Sequence, residues 1–353
     1  MFRKRYTPEF NTIIPTNFKN QLEQESIPQK LTEYWRLSRR EVYLYFSGQK
    51  SRELNIIPKN TKKILWLLPS IKNIGDAIMA LSARSLLKHK YNIDILVDKN
   101  VAELFIDDDI INTVYNDPKQ IKSHYDLIIL DSVKNISLNI KKQYFENIPF
   151  CHFRGHFDGI EFNWILFSYH RINAILGNIY SQQQLDDMAQ PYLTKSINQS
   201  PNNSLLIAIG GEDKLRRVYL NWNSLINKLL YLQLNFNIIL IGSHNGLEMA
   251  NKLVDQFTNK VTNMVGKLSL QDTSKLISQA KFFVGCDGGL MHIASAYQLH
   301  GVALFGYFEP QYRLPYRSNL EALFDQYTVN NIDDSLILDT IINKLKAMKA
   351  YHD

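Results

Sequence analysis

Val284-Gly-Cys-Asp-Gly-Gly-Leu-Met-His292 runs from a short apolar strand into Asp287, then through Gly288 and Gly289 into a helix whose first turn holds His292. Glycine lets backbone N–H groups come close to a ligand, and a helix N-terminus carries partial positive charge suited to phosphate. The stretch reads as a pyrophosphate cradle, with a plain tight turn as the other reading. Its neighbours repeat the alternation of strand and helix. Upstream, Leu205-Leu-Ile-Ala-Ile-Gly-Gly211 is an apolar strand ending in two glycines; helix 223–234, strand 237–242, helix 247–257, a short strand near Asn263 and helix 270–280 come after it. Downstream lie helix 290–297 and strand Val302-Ala-Leu-Phe-Gly306. Residues 63–131 spell the same order: ILWLL at 64–68, loop 69–76, helix 77–88, strand 93–97, a short helix 101–105 and strand 125–131. Uninterrupted apolar strands between helices mark parallel sheets covered on both faces. The fold class is therefore α/β, with two doubly wound domains in tandem whose strand ends are expected to face a shared central cleft. The polar stretch 178–203 reads as the linker.

The composition agrees. The chain has 353 residues, enough for two cores, with 45% hydrophobic and 21% charged residues, which excludes long disorder. No run of about 18 apolar residues occurs, so neither a spanning helix nor a signal peptide is read. Cys151 and Cys286 fit no paired-ligand spacing, which argues against a disulfide framework or zinc ribbon and for a reducing, cytoplasmic compartment. The net charge of +6 is uneven, because residues 1–63 hold 13 Lys/Arg against 6 Asp/Glu, leaving 27 against 28 for the rest. That distribution disfavours nucleic acid, which is usually gripped by basic residues of the folded body. Within a helix-like run from Leu31 to Phe46, Tyr34, Trp35, Tyr43, Tyr45 and Phe46 interleave with Arg36, Arg39 and Arg40. The pattern suits an anionic membrane surface; a helix packed on the body with solvated charges is the alternative.

Three further groups carry chemistry. Asp76, at the end of the first buried strand, is either a helix N-cap or a carboxylate placed to deprotonate a hydroxyl. Lys214, Arg216 and Arg217 come after Gly210-Gly211 and form either a diphosphate-neutralising loop or a solvated basic loop. Lys134 and Arg154 are candidates for acceptor phosphates or carboxylates. Cys151, His152 and His156 make a poor metal site because no fourth ligand is visible.

These segments, in this order, resemble glycosyltransferase family 9, the ADP-heptose:lipopolysaccharide heptosyltransferases, over about residues 63–320. Lys72-Asn-Ile-Gly-Asp-Ala-Ile78 looks like the family's "SSIGDVL", and Tyr125-Asp-Leu-Ile-Ile-Leu-Asp131 like its "YDLVIDLQ". Ser269–Lys281 followed by Phe282–Ala296 is similar to "SL..L..LI..A..VVGNDTGPMHLAAA", and "ALFG" recurs at 303–306. The resemblance implies a GT-B fold: a basic N-terminal extension (1–60), a Rossmann-like acceptor domain (61–185), a Rossmann-like nucleotide-sugar domain (186–325) and a helical tail (326–353). It implies an inverting, metal-independent transferase with no cofactor, most simply moving heptose from ADP-heptose to a lipopolysaccharide core or related glycan at the inner face of the cytoplasmic membrane. Asp76 would be the general base. The donor set would comprise Asn73, Gly75, Lys214, Arg216, Arg217, Gly242, Glu248, Asp287, Gly288, Gly289 and His292. Departures from the family pattern are Gly288 in place of its threonine, Lys214-Leu-Arg-Arg217 in place of "K-R/H-W-P", and Gly306-Tyr-Phe-Glu-Pro310 in place of "GPTDP". After strand 238–241, Glu248 is the nearest acid for ribose hydroxyls. These departures leave two alternatives: a GT-B transferase using a UDP- or GDP-sugar, and a degenerate member acting as a scaffold.

Overall fold

The structure is a computed structural model that describes residues 27–131, 135–153, 163–194, 202–211 and 216–350. The chain divides into two compact units, residues 1–190 and 191–353. In the first, the elements run α1 (Ile27–Phe46), β1 (Glu53–Leu54), β2 (Lys63–Leu68), α2 (Ile74–Leu81), β3 (Asn92–Val97), α3 (Lys99–Ala102), β4 (Ile111–Tyr115), β5 (Leu127–Leu130), α4 (Asn135–Phe145), β6 (Phe150–His152), α5 (Trp164–Ile175) and α6 (Gln182–Met188). The six strands form one parallel sheet in the order β1-β6-β5-β2-β3-β4. The second unit comprises β7 (Ser204–Ala208), α7 (Trp222–Tyr231), β8 (Asn237–Ile241), α8 (Leu247–Gln256), β9 (Val261–Asn263), α9 (Leu270–Gln279), β10 (Phe282–Cys286), α10 (Gly289–Ala296), β11 (Gly301–Gly306), β12 (Leu320–Asp325) and α11 (Asp334–Ala350). Their parallel sheet has the order β12-β11-β10-β7-β8-β9.

The two sheets share one winding. In each, a central strand is succeeded by two strands laid to one side, after which the chain returns to the other side. The reversal falls between β2 and β5 in the first unit and between β7 and β10 in the second. Side chains past the strand ends at such a reversal are spread apart and open a crevice, so each unit has one built-in place for a ligand. Burial explains the strand sequences. Ile64 to Leu68 and Leu127 to Leu130 are buried along their whole length, as are Phe282 to Cys286 and Val302 to Phe305. A strand covered on both faces has no solvent side on which to alternate polar residues.

Several expected boundaries move. The helix expected at 77–88 starts at Ile74 and passes into a 3-10 run at 82–87, where the Ser82 hydroxyl donates to the Met79 carbonyl at 2.7 Å and competes for the helical ladder. The stretch read as linker contains α6, opened by a capping box between Ser181 and Gln184. The strands at 53–54, 111–115, 150–152 and 320–325 had no sequence reading, because each is short or carries polar residues at an edge position. The described part of residues 1–60 is built into the first unit. Leu44 is fully buried with Leu65, Leu67, Ile128 and Phe150, Tyr43 donates to Asn139 Oδ1 at 2.9 Å, and β1 pairs with β6. Residues 1–26 lie outside the described residues. In the second unit Ile337 and Ile341 of α11 are fully buried in the core with Trp222, Leu225 and Val302.

One buried ion pair fixes the side of the first sheet beyond β3. Arg84 and Asp108 are almost completely buried; Nη2 donates to Oδ2 at 2.5 Å and Nε at 3.1 Å, and Asp108 Oδ1 also accepts from the Ile110 and Ile111 amides leading into β4. Removing one partner of such a pair leaves a desolvated charge, typically at a cost of about 3–5 kcal/mol. Asp108→Ala should therefore lower the urea midpoint by that order of free energy, and an unchanged midpoint would show the pair to be dispensable.

Candidate active site

The helix α2 sets the shape of the loop that joins it to β2. Asn73 holds the N-cap position of α2 with extended backbone, its carbonyl accepting from the Ala77 amide at 3.0 Å. The N-cap reading of Asp76 is thereby corrected: Asp76 is the third residue inside the helix, where its charge meets the positive end of the helix dipole. Asn73 Nδ2 donates to Asp76 Oδ2 at 3.2 Å, so the amide orients the half-buried carboxylate. Gly75, between them, is buried. On the neighbouring strand end Asp131, fully buried, accepts from Ser70 Oγ at 2.5 Å, and its amide donates to the Leu67 carbonyl at 2.9 Å. Asp131 thus ties the loop that carries Asp76 to the far side of the β2–β5 reversal. It was not among the sequence candidates, although an acid closing an all-apolar strand is a signal that could have found it. Lys134 and Arg154, expected in this unit, lie outside the described residues.

In the second unit the strand ends bring several candidates together. Asp287 directly succeeds β10, its amide donating to the Leu304 carbonyl at 2.8 Å. The carboxylate is 5% exposed and stands between a guanidinium and an imidazole, with Arg217 Nη1 at 3.9 Å from Oδ2 and His292 Nε2 at 3.8 Å from Oδ1. Both distances are within ion-pair reach and beyond a hydrogen bond. Gly288 is the N-cap of α10 and Gly289 its first residue. Gly288 is extended, and a Cβ there would meet nothing nearer than 3.9 Å, so neither backbone nor space demands glycine. The missing side chain leaves open room before the first amides of the helix.

Close approach of backbones sets the rest of the rim. Gly242 comes directly after β8 at φ +157°, and a Cβ would stand 2.1 Å from the Ile209 carbonyl oxygen. The next turn lets Asn245 Nδ2 donate to the Gly211 carbonyl at 2.7 Å. Glu248 is exposed and paired with Lys252 at 2.7 Å on the surface of α8. Lys214 lies outside the described residues. Arg216 stacks on Tyr307, with its guanidinium carbon 4.1 Å from the ring centroid, and Phe308 has both Arg217 (5.8 Å) and Arg313 (4.8 Å) over its ring. Tyr307 holds φ +76°, a left-handed conformation seldom kept by a bulky residue without cause. Tyr307 and Phe308 were noted in the sequence only as a departure from the family pattern, and Arg313 was not singled out, because nothing local to the loop after β11 links it to the cations at 216–217.

Burial pushes the thiol of Cys286 up to about 12, and that of Cys151 likewise, so neither is a nucleophile at neutral pH. His152 Nε2 lies 3.1 Å from Glu53 Oε1, both buried, and His156 lies outside the described residues. Among the described residues no group of three or more His, Cys, Asp or Glu is placed to hold a metal ion.

Residues 180–333 match the family model described as glycosyltransferase family 9 (heptosyltransferase), in line with the resemblance in the motifs. No curated protein sequence matches the chain. The fold is that of GT-B structures. ADP-heptose lipopolysaccharide heptosyltransferase II of E. coli superposes with a TM-score of 0.63 at 17% identity, covering 81% of this chain and 99% of that one. A family 9 glycosyl transferase of Veillonella parvula gives 0.67 at 13%, covering 83% and 100%. The E. coli heptosyltransferase WaaC with ADP gives 0.59 at 16%, covering 80% and 99%.

The position of Arg216 depends on Gly306, whose Cβ, if present, would stand 2.1 Å from the Arg216 carbonyl oxygen and 2.6 Å from the Val329 amide that donates to it. Gly306→Ala should cost about 1–3 kcal/mol of stability through overpacking, read in a denaturant titration, whereas a wild-type midpoint would show that the loop yields freely.

Proposed function

We propose that the chain, whose residues 180–333 match the family 9 model, is a glycosyltransferase that moves a sugar from a nucleoside diphosphate donor to a hydroxyl of a glycan or glycolipid, with inversion and without metal. The observation that carries this reading is Asp287 set between Arg217 and His292 at the open start of α10. In the proposed step Asp76 accepts the acceptor's hydroxyl proton as that oxygen bonds to the anomeric carbon. The bond from that carbon to the phosphate oxygen breaks, and its electron pair leaves with the nucleoside diphosphate. The growing charge on the leaving group is met by the guanidiniums after β7 and by the amides of α10, while Asp287 accepts hydrogen bonds from the sugar. Asn73 and Gly75, placed beside Asp76, remain in the donor set in this reading.

The family's heptosyltransferase description and the resemblance in the motifs support ADP-heptose as donor and a lipopolysaccharide core or related glycan as acceptor. The departures from the family pattern at 214–217, 288 and 306–310 leave a second reading, in which a UDP- or GDP-sugar is the donor. Calorimetric titration with ADP, UDP, GDP and CDP separates these: selective ADP binding supports the first reading, another selective nucleotide the second, and no binding a scaffold role. Asp76→Asn should lower turnover by at least about a hundredfold, the lower range of general base catalysis, with nucleotide affinity unchanged. Near-normal turnover would remove Asp76 from the mechanism.

The acceptor class also suggests where the enzyme works. Along α1, Leu31, Trp35, Val42, Tyr45 and Phe46 are exposed, Phe46 at 87%. At about 100° per residue they fall on one stripe, opposite the buried Leu44. Exposed aromatics on a helix from a segment carrying 13 Lys/Arg against 6 Asp/Glu suit the headgroup layer of an anionic leaflet. No helix among the described residues is long and apolar enough to cross a membrane. Truncating residues 1–60 would remove β1 and Leu44, so the informative variant is Trp35→Ser with Phe46→Ser. It should lose at least about tenfold in affinity for phosphatidylserine vesicles at physiological salt while keeping the wild-type unfolding midpoint; retained affinity would refute membrane docking.

A further inference from the structure

Phe308 lies two residues beyond β11 and holds two guanidiniums from separate segments, Arg217 before α7 at 5.8 Å and Arg313 at 4.8 Å. We propose that Arg313 is a diphosphate-binding residue of the donor site and that it grips the donor's diphosphate jointly with Arg217 across Phe308. The assignment rests on the nucleotide-sugar reading of the site. The first support is position. Arg217 also reaches Asp287 at 3.9 Å, which puts the Phe308 pair at the strand ends beside the start of α10. Arg313 is delivered there by the short turn Pro310–Tyr312, its amide donating to the Pro310 carbonyl at 2.9 Å.

The second support is charge. The guanidiniums of Arg216, Arg217 and Arg313 cluster over two adjacent rings, and among the described residues Asp287 is the carboxylate that reaches this cluster, at 3.9 Å from Arg217. Like charges so disposed repel, and an anion with several acceptor oxygens relieves the repulsion. The third is geometry. A guanidinium held over a ring by cation–π attraction is restrained before the anion arrives and keeps N–H donors in the planar fork that matches phosphate oxygens. Arg216 differs from the pair: it sits closest to its ring, 4.1 Å from Tyr307, and its carbonyl accepts from the Val329 amide, so it fixes the loop in place. Two cations meeting two phosphates would also assist departure of the leaving group, in which negative charge grows as the bond breaks.

The test compares ADP with AMP by calorimetry in wild type, Arg313→Ala, Arg313→Lys and Phe308→Leu, each first checked for a wild-type unfolding midpoint. Charge-assisted hydrogen bonds of this kind correspond to about ten- to a hundredfold in affinity. Arg313→Ala should weaken ADP by that factor and AMP by about threefold or less. Arg313→Lys should recover part of the loss, since it keeps the charge without the fork, and Phe308→Leu should reproduce part of it with both arginines intact. If another nucleoside diphosphate proves to be the one that binds wild type, it and its monophosphate replace ADP and AMP. Equal losses for di- and monophosphate, or none, overturn the role of Arg313 while leaving the donor reading standing. Failure of wild type to bind any of ADP, UDP, GDP or CDP overturns both.

Discussion

A parallel sheet covered on both faces disfavours polar side chains along its central strands, and most features of this chain stem from that constraint. Ile64 to Leu68, Leu127 to Leu130 and Phe282 to Cys286 are sealed from solvent, so polar groups gather where the strands stop. Asp131 stands one residue past β5, Asp287 one past β10, and Gly210 with Gly211 soon after β7. The winding then decides which of these ends open onto a crevice, because only at the reversals β2–β5 and β7–β10 do successive crossovers part to opposite faces.

The two units hold their polar groups differently. In the first, carboxylates are restrained by neutral partners: Ser70 for Asp131 and Asn73 for Asp76. In the second, Asp287 and the rings of Tyr307 and Phe308 hold cations, and the excess of positive charge is suited to an anionic ligand. The proposed sugar transfer uses both arrangements, with the first unit's carboxylate as proton acceptor and the second unit's cations against the diphosphate.

The strand-and-helix alternation was legible in the sequence because buried parallel strands are apolar runs and their helices amphipathic. So was the Asp287–His292 element, whose residue order alone implies strand, turn and helix. Three of the four edge strands were not: β1 has two residues, and β4 and β12 mix exposed polar positions with buried ones, so nothing in their pattern separates them from loop. The site was legible where a single segment carries it and hidden where segments meet. Arg217 could be read as a cation after a glycine turn, but its neighbours Phe308 and Arg313 come from a loop about ninety positions away, joined to it only by the order of the sheet. Ser70 and Asp131, 61 positions apart, are a second instance.

The pairing of β1 with β6 also sets an order of events as the chain is made. Gln49 bonds to the Glu146 carbonyl across 97 positions, Tyr43 to Asn139 across 96, and Glu53 aligns with Phe150. A ribosome exposes the N-terminal helix well before any of those partners, and domains complete their folding as units only once all their strands have emerged. For that interval the buried side of α1, with Leu44, is as naked as its aromatic stripe. The nascent protein therefore offers a surface or a chaperone a stickier helix than the finished one does, and closure of the sheet edge by β1 ends that exposure.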